Sequence, residues 1–355
     1  MSFSEIISAN DASKFRKALL VWFVKHQRPM PWRDKVSAYR TVVSELMCQQ
    51  TQIATVIPYF NRWVKKWPNF TDLARSKESE VLAYWAGLGY YNRARNLRSC
   101  AIEVSRLKVL PKTALGWQKF KGIGPYTAAA ISSIAYHEPV AVVDGNVVRV
   151  LSRIAGIKKV FSDGSNAVKY FTPLANHLVD TQHPGDFNQA MMELGALVCK
   201  KSQPVCSVCP LSHWCRAKKE NIAESLPRFT PKKRQSAKVQ RVLVFDKNKL
   251  LLQRNPPSAK RLAGMAEIPE ISFLGKSLKV ERSWVRRRTI GSVTYEESIN
   301  LTHLNRSMIR KIEQEGTLEW VSIKNLKNSA ITGPHLRWIQ EWINQGDQPK
   351  RDKSL

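Results

Sequence analysis

Cys199, Cys206, Cys209 and Cys215 form a C-x6-C-x2-C-x5-C run on one short stretch of chain. Thiolates are soft ligands, and four so close together form a cage for a metal ion or an iron–sulfur cluster. Zinc is the competing occupant, because C-x2-C pairs also hold it, although the unequal spacing is unlike paired C-x2-C knuckles. Disulfides are set aside, since no secretory segment opens the chain and crowded thiols in a reducing compartment read as ligands. A second group lies in Phe120-Lys121-Gly122-Ile123-Gly124-Pro125-Tyr126-Thr127-Ala128. Two glycines around one apolar residue allow a tight turn with positive φ, with Ile123 as the plug. The N–H groups at the start of the following helix are then free to take a phosphate, and Lys121 is assigned to the same contact. Asp144 opens a further helix, where aspartate is a favoured cap and the helix field keeps a carboxylate ionised.

These groups need elements to position them, and the apolar spacing says which. Phe15, Leu19, Trp22 and Phe23 make one helical stripe, and Val42, Val43, Leu46 and Met47 make another. Leu82–Trp85 followed by Gly87 and Gly89 reads as a helix stopped by glycine, and 146–155 as a helix after Val140–Val143. Residues 11–223 carry almost no strand signal, so the expectation is an all-helical domain of two lobes with a cleft between them. Residues 227–238, rich in proline and basic side chains, have linker composition. Beyond it, Val239–Phe245, Leu250–Gln253, Thr289–Tyr295, Ser298–Leu304 and Leu318–Val321 read as strands and 334–344 as a closing helix.

The chain of 355 residues is long enough for about two domains. The boundaries read as 1–226 for the helical domain, 227–238 for the linker, 239–345 for a smaller α+β domain and 346–355 for a disordered tail. A net charge of +29, shared by both parts, favours a polyanionic partner. Met1–Asn10 lacks the order of a signal peptide, and no apolar stretch reaches the roughly 18 residues of a membrane span. The expectation is a soluble, monomeric cytoplasmic protein of bacterial type that is associated with the nucleoid.

The segments Ser44-Glu45-Leu46-Met47-Cys48-Gln49-Gln50-Thr51-Gln52, Gly87-Leu88-Gly89-Tyr90-Tyr91, the glycine hairpin, Val143-Asp144-Gly145-Asn146-Val147, Phe187–Met192 and the cysteine loop occur in that order. Together they resemble the helix-hairpin-helix, iron–sulfur DNA glycosylases, and within them the adenine DNA glycosylases that remove adenine opposite 8-oxoguanine. The resemblance covers most of residues 20–225. It implies a [4Fe–4S] cluster on the four cysteines and double-stranded DNA with A·8-oxoguanine or A·G mispairs as the partner. Asn146, Gly122, Gly124 and Lys121 fall among its DNA-contacting positions.

Breaking an N-glycosidic bond builds positive charge on the sugar and negative charge on the base. By the resemblance, Glu45 is the acid that protonates the adenine ring, and Asp144 stabilises or transiently bonds the oxocarbenium-like sugar. Tyr126 stands where the related endonuclease III family has a lysine. A phenol forms no Schiff base, so a monofunctional enzyme is implied. Gln49 and Tyr90 match positions that fill the stack after the base is extruded, while Arg33 and Gln189 match the adenine pocket.

Residues from about 239 resemble the Nudix-like domain that this family uses to read 8-oxoguanine. Gly264 and Glu270 keep the first Nudix spacing, but 278–283 lacks the carboxylate half of the motif, so binding rather than hydrolysis is implied. Leu301-Thr302-His303 is the counterpart of a Phe-Ser-His turn, with Thr302 and His303 as candidate contacts to the lesion. The alternatives are a glycosylase of the same fold with another base preference, such as thymine opposite guanine, and a non-catalytic iron–sulfur DNA-binding protein.

Overall fold

The computed structural model describes residues 7–231, 235–256, 258–259, 262–274, 280–304, 308 and 318–344. The expected tail at 346–355 lies outside them, as do 278–279 of the Nudix comparison. The chain divides into two compact units, one of Met1–Ser76 with Asn92–Pro231 and the other of Lys77–Tyr91 with Lys232–Leu355.

The first unit is helical. α1 (Ala9–His26) begins at Ser8, whose hydroxyl accepts from the N–H of Asp11 at 3.1 Å. Its predicted stripe is buried, and it joins a core with Val147, Leu151, Phe187 and Leu194. A second set of buried side chains comes from α2 (Ala38–Cys48), α3 (Asn92–Val104) and α4 (Pro125–Tyr136), including Val42, Leu46, Leu97 and Ile131. Each such side chain removed from water contributes ~1.5–3 kcal/mol, so these two cores hold the helices that carry the site. α5 (Gly145–Ala155) and α6 (Pro184–Leu197) belong to the α1 core. Asn188, 1% exposed, fixes the segment before α5: its Oδ1 accepts from Val142 N–H at 2.9 Å and its Nδ2 donates to Val140 O at 2.8 Å.

The stretch read as linker is more structured than its composition suggests. Arg228–Phe229 pairs in parallel with Val160–Phe161, and β1 (Gln235–Leu243) starts within the expected linker. Only the last third of β1 is buried, so its first residues are polar and basic and carry no strand pattern.

In the second unit the helix Glu78–Trp85 ends as expected, with Gly87 at φ 104° and Gly89 at φ 69°. β1 pairs in parallel with β4 (Val293–Thr302), which pairs antiparallel with β3 (Val280–Ile290). β2 (Lys249–Arg254) pairs with β5 (Leu318–Ser322) in a second sheet. The single strand expected at Thr289–Tyr295 is instead the β3–β4 turn, where Gly291 has φ 63°. α7 (Gly333–Asn344) buries Trp338 and Ile339 against Leu243, Leu250 and Ile299. Buried charges also tie this unit together. Arg241 pairs with Glu297, Arg288 pairs with Glu297 and with Glu267 at 2.6 Å, and His335 Nε2 lies 3.2 Å from Glu297. Burial holds His335 down to about 4, so it serves as a neutral member of the network.

Candidate active site and cysteine loop

Glu45 sits in the last turn of α2, half-buried, and its environment is that of an acid. Burial pushes its carboxyl up to about 7, Asp144 adds to the rise, and Tyr126 and Arg33 hold it down. Tyr126, in the first turn of α4, lies beside Glu45, and its hydroxyl donates to Met192 Sδ at 3.4 Å. Burial and the two neighbouring carboxylates lift its phenol well above the ordinary value, so it stays protonated.

Asp144 caps α5 as its position in the sequence requires. Its Oδ1 accepts from Val147 N–H at 2.8 Å and its Oδ2 from Asn146 Nδ2 at 2.8 Å. Burial raises its carboxyl, and these two N–H donors oppose the rise by favouring the ionised form. Asn146 is therefore a partner of Asp144, and its Oδ1 accepts in turn from Arg149 at 2.8 Å. Arg149 continues to Cys199 O at 2.8 Å and Gly195 O at 2.9 Å. Two expected carboxylates and the tyrosine thus meet within one unit.

The end of α2 is tied down by Arg93, which sequence reasoning missed. Its guanidinium, buried in a 7% exposed residue, donates to Leu46 O at 2.8 Å and Met47 O at 3.0 Å. These are orphan carbonyls of a helix C-terminus, where a cation is favoured. Gln49 follows, with Nε2 at 3.5 Å from Thr127 Oγ1, and Gln50 has φ 55°. Cys48 beside it is kept as a thiol, pushed up to about 12 by burial first and by Glu45 second, which argues against ready oxidation.

Arg33 and Gln189 are in contact, with Arg33 Nε donating to Gln189 Oε1 at 2.8 Å. Glu193, also missed, lies behind them. Its pairing with Arg28 and Arg33 joins residues about 160 positions apart, which no local spacing announces.

In the hairpin, Gly122 takes φ 84° and a Cβ there would meet Asn96 Cβ at 2.3 Å, so glycine is required. Gly124 has φ −80° and differs from the expectation of a second left-handed glycine. It caps α4, and a Cβ on it would meet nothing within 4 Å. Ile123 is buried and Lys121 exposed.

All four loop cysteines are free and line one pocket together with Val150, Ile154, Leu194 and Val198. Arg153, 1% exposed, donates to Cys199 Sγ at 3.2 Å, Lys200 O at 2.7 Å and Lys201 O at 3.0 Å. Among the described residues no three Cys, His, Asp or Glu side chains already stand at metal-coordinating spacing. The donor set still fits a thiolate-held group: soft sulfurs, an apolar wall and a guanidinium on one sulfur.

The recognition candidates belong to the other unit. Tyr90 is 60% exposed with φ 47°. His303 is exposed just beyond β4, its Nε2 3.3 Å from Glu281, whereas Thr302 is fully buried, so of that pair only His303 presents its side chain to solvent. Among the described residues no helix is long and apolar enough to cross a membrane.

Residues 43–169 match the model of the HhH-GPD superfamily of base excision DNA repair proteins. The chain is 31% identical to the adenine DNA glycosylase of Schizosaccharomyces pombe over 95% of this chain and 86% of that one. It is 45% identical to the adenine DNA glycosylase of Arabidopsis thaliana over 60% of this chain, but spans only 38% of that relative's length. Among solved structures, a thermostable thymine-DNA glycosylase matches with TM-score 0.52 and 25% identity, covering 59% of this chain and 97% of its own. A non-covalent endonuclease III–DNA complex matches with TM-score 0.50 and 21% identity over 62% of this chain and 99% of its own, which speaks for the fold alone.

Proposed function

This chain belongs to the adenine DNA glycosylase family within the HhH-GPD base excision repair proteins, and on that footing we propose that it is a monofunctional DNA glycosylase. Its substrate on this reading is duplex DNA, and the bond hydrolysed joins the sugar to an adenine mispaired with 8-oxoguanine or guanine. One observation carries the proposal: Glu45, raised to about 7, shares a site with Asp144, whose two oxygens each accept an N–H hydrogen bond. Two adjacent acids share protons unequally, and the better solvated by donors keeps its charge. Glu45 then delivers its proton to the ring of the extruded adenine, which leaves as a neutral base. Asp144 faces the electron-poor sugar until water adds. Tyr126, held against Glu45, orients that acid and supplies no amine for strand cleavage.

Cys199, Cys206, Cys209 and Cys215 would hold a [4Fe–4S] cluster, which would order a basic loop that includes Lys200, Lys201 and Lys218. Gly122 and Gly124 present the start of α4 to a phosphate, with Lys121 beside it. Gln49 enters the vacated stack, and His303 reads the opposite base in a Nudix-like domain.

The test is purified protein on A·8-oxoguanine, A·G and T·G duplexes, with released base and strand breaks measured separately. Adenine release, with scission only after alkali, supports the proposal. Thymine release from T·G would select the other base preference, which the thymine-DNA glycosylase likeness makes the second reading. Binding without any release would make it a DNA-binding protein.

A further inference from the structure

Glu193 is a carboxylate that the proposed chemistry does not use, yet it is 2% exposed and among the most heavily bonded side chains of the first unit. Its Oε1 accepts from the backbone N–H of Arg28 at 2.9 Å and from Arg28 Nε at 2.8 Å. Its Oε2 accepts from Arg28 at 3.0 Å and from Arg33 at 3.4 Å. Arg33 is further fixed by donating to Arg28 O at 2.8 Å and by lying over the Phe23 ring, 5.2 Å from its centroid. What remains of the fork, Nε–H, goes to Gln189 at 2.8 Å.

A guanidinium only donates, so the amide atom facing it has to be the oxygen. The Gln189 Nε2 hydrogens then point away from Arg33, and the side chain makes no other hydrogen bond among the described residues. A half-buried glutamine otherwise chooses between two nearly equivalent amide orientations. Here the choice is removed by a guanidinium that is itself clamped by Glu193 from the same helix, four residues on.

We propose that Glu193 is a positioning residue for base selection: through Arg33 it locks Gln189 as a hydrogen-bond donor toward an acceptor nitrogen of the extruded purine. This rests on the glycosylase reading and deepens it. Bases that present a donor at that edge meet two amide hydrogens and are disfavoured, since a buried donor–donor contact leaves both groups unsatisfied.

The experiment compares wild type, Glu193→Gln, Gln189→Ala and the double variant on one duplex carrying adenine opposite 8-oxoguanine. Affinity is also measured for a duplex with an uncleavable 2′-fluorinated adenosine and for one with an abasic analogue. Glu193→Gln is expected to weaken the adenosine-containing complex on the order of tenfold while leaving the abasic complex unchanged. Added to Gln189→Ala it is expected to cost little more, because both changes remove one interaction. Equal losses on both duplexes, or fully additive losses, would overturn the proposal. Should Glu193→Gln not fold, Arg33→Lys serves instead, since an ammonium retains the ion pair but not the planar fork; its loss must again be confined to the adenosine duplex. Wild type that excises nothing would refute the glycosylase reading. Wild type that excises normally beside an unaffected Glu193→Gln would refute the positioning role alone.

Discussion

Glu45→Gln probes the raised carboxyl through stability as well as through chemistry. An ordinary glutamate titrates at 4.5, and Glu45 is pushed up to about 7, mainly by burial. The native state therefore keeps a proton that the unfolded chain releases. Between those two values the folded form binds more protons, so stability is greatest below the lower one and falls as pH rises through the higher. Fully expressed, the difference is worth ~3 kcal/mol by about pH 8. Water reaching a half-buried group and relaxation around it reduce this to ~1.5–3 kcal/mol. Glutamine has nothing to lose, so the variant gains on wild type as pH is raised from about 5 to about 8. For a unit of this size the gain corresponds to ~3–10 °C in Tm. Calorimetry at several pH values, run beside base release and duplex binding, measures it. The expected outcome is a Tm difference that widens with pH, intact binding and no excision. A Tm difference that is constant across this range would refute the raised carboxyl, and wild-type excision would remove Glu45 from the chemistry.

Tyr126→Lys places an amine beside Glu45 and is expected to give a borohydride-trappable covalent complex with DNA; complete absence of trapping counts against the position of the residue in the site. Wild-type excision is expected to decline as pH rises through about 7, because the Glu45 proton is lost there; a rate that is flat from about pH 6 to 8 speaks against this acid. Gly122→Ala forces a Cβ to 2.3 Å from Asn96 at φ 84° and is expected to lower Tm by several degrees and weaken duplex binding. Cys209→Ser is expected to abolish bound iron and its visible absorption band, and iron content equal to wild type would remove this residue from the ligand set. His303→Ala is expected to narrow the preference for 8-oxoguanine over guanine, while an unchanged ratio places the reading of the lesion elsewhere.

What the sequence could tell was local. The α1 and α2 stripes, the glycine stop after Trp85, Asp144 at a helix start and the four crowded thiols are all signalled within a few residues. Arg28–Glu193, Arg93 on the end of α2, and Arg153 on the cysteine loop are long-range pairs of charged groups with carboxylates or carbonyls. In a chain with 57 lysines and arginines, nothing in their sequence neighbourhood separates them from solvated surface charge. The β3–β4 turn was hidden because Thr289–Tyr295 alternates like a strand on both sides of Gly291. The polar start of β1 was hidden because its partner is β4, more than fifty residues away.

Asp144 ties folding to chemistry at one position. The oxygens proposed to face the sugar also close the first turn of α5, and Asn146, Arg149 and the Cys199 carbonyl are strung from them. Random drift at this codon is therefore screened first for whether the helix still begins, before any lesion is met. Short polar side chains pass that screen, and glycine does so at small cost. Of these, asparagine alone keeps nearly the same shape while discarding the negative charge, which makes it the replacement that would leave an inert protein still shaped for its substrate.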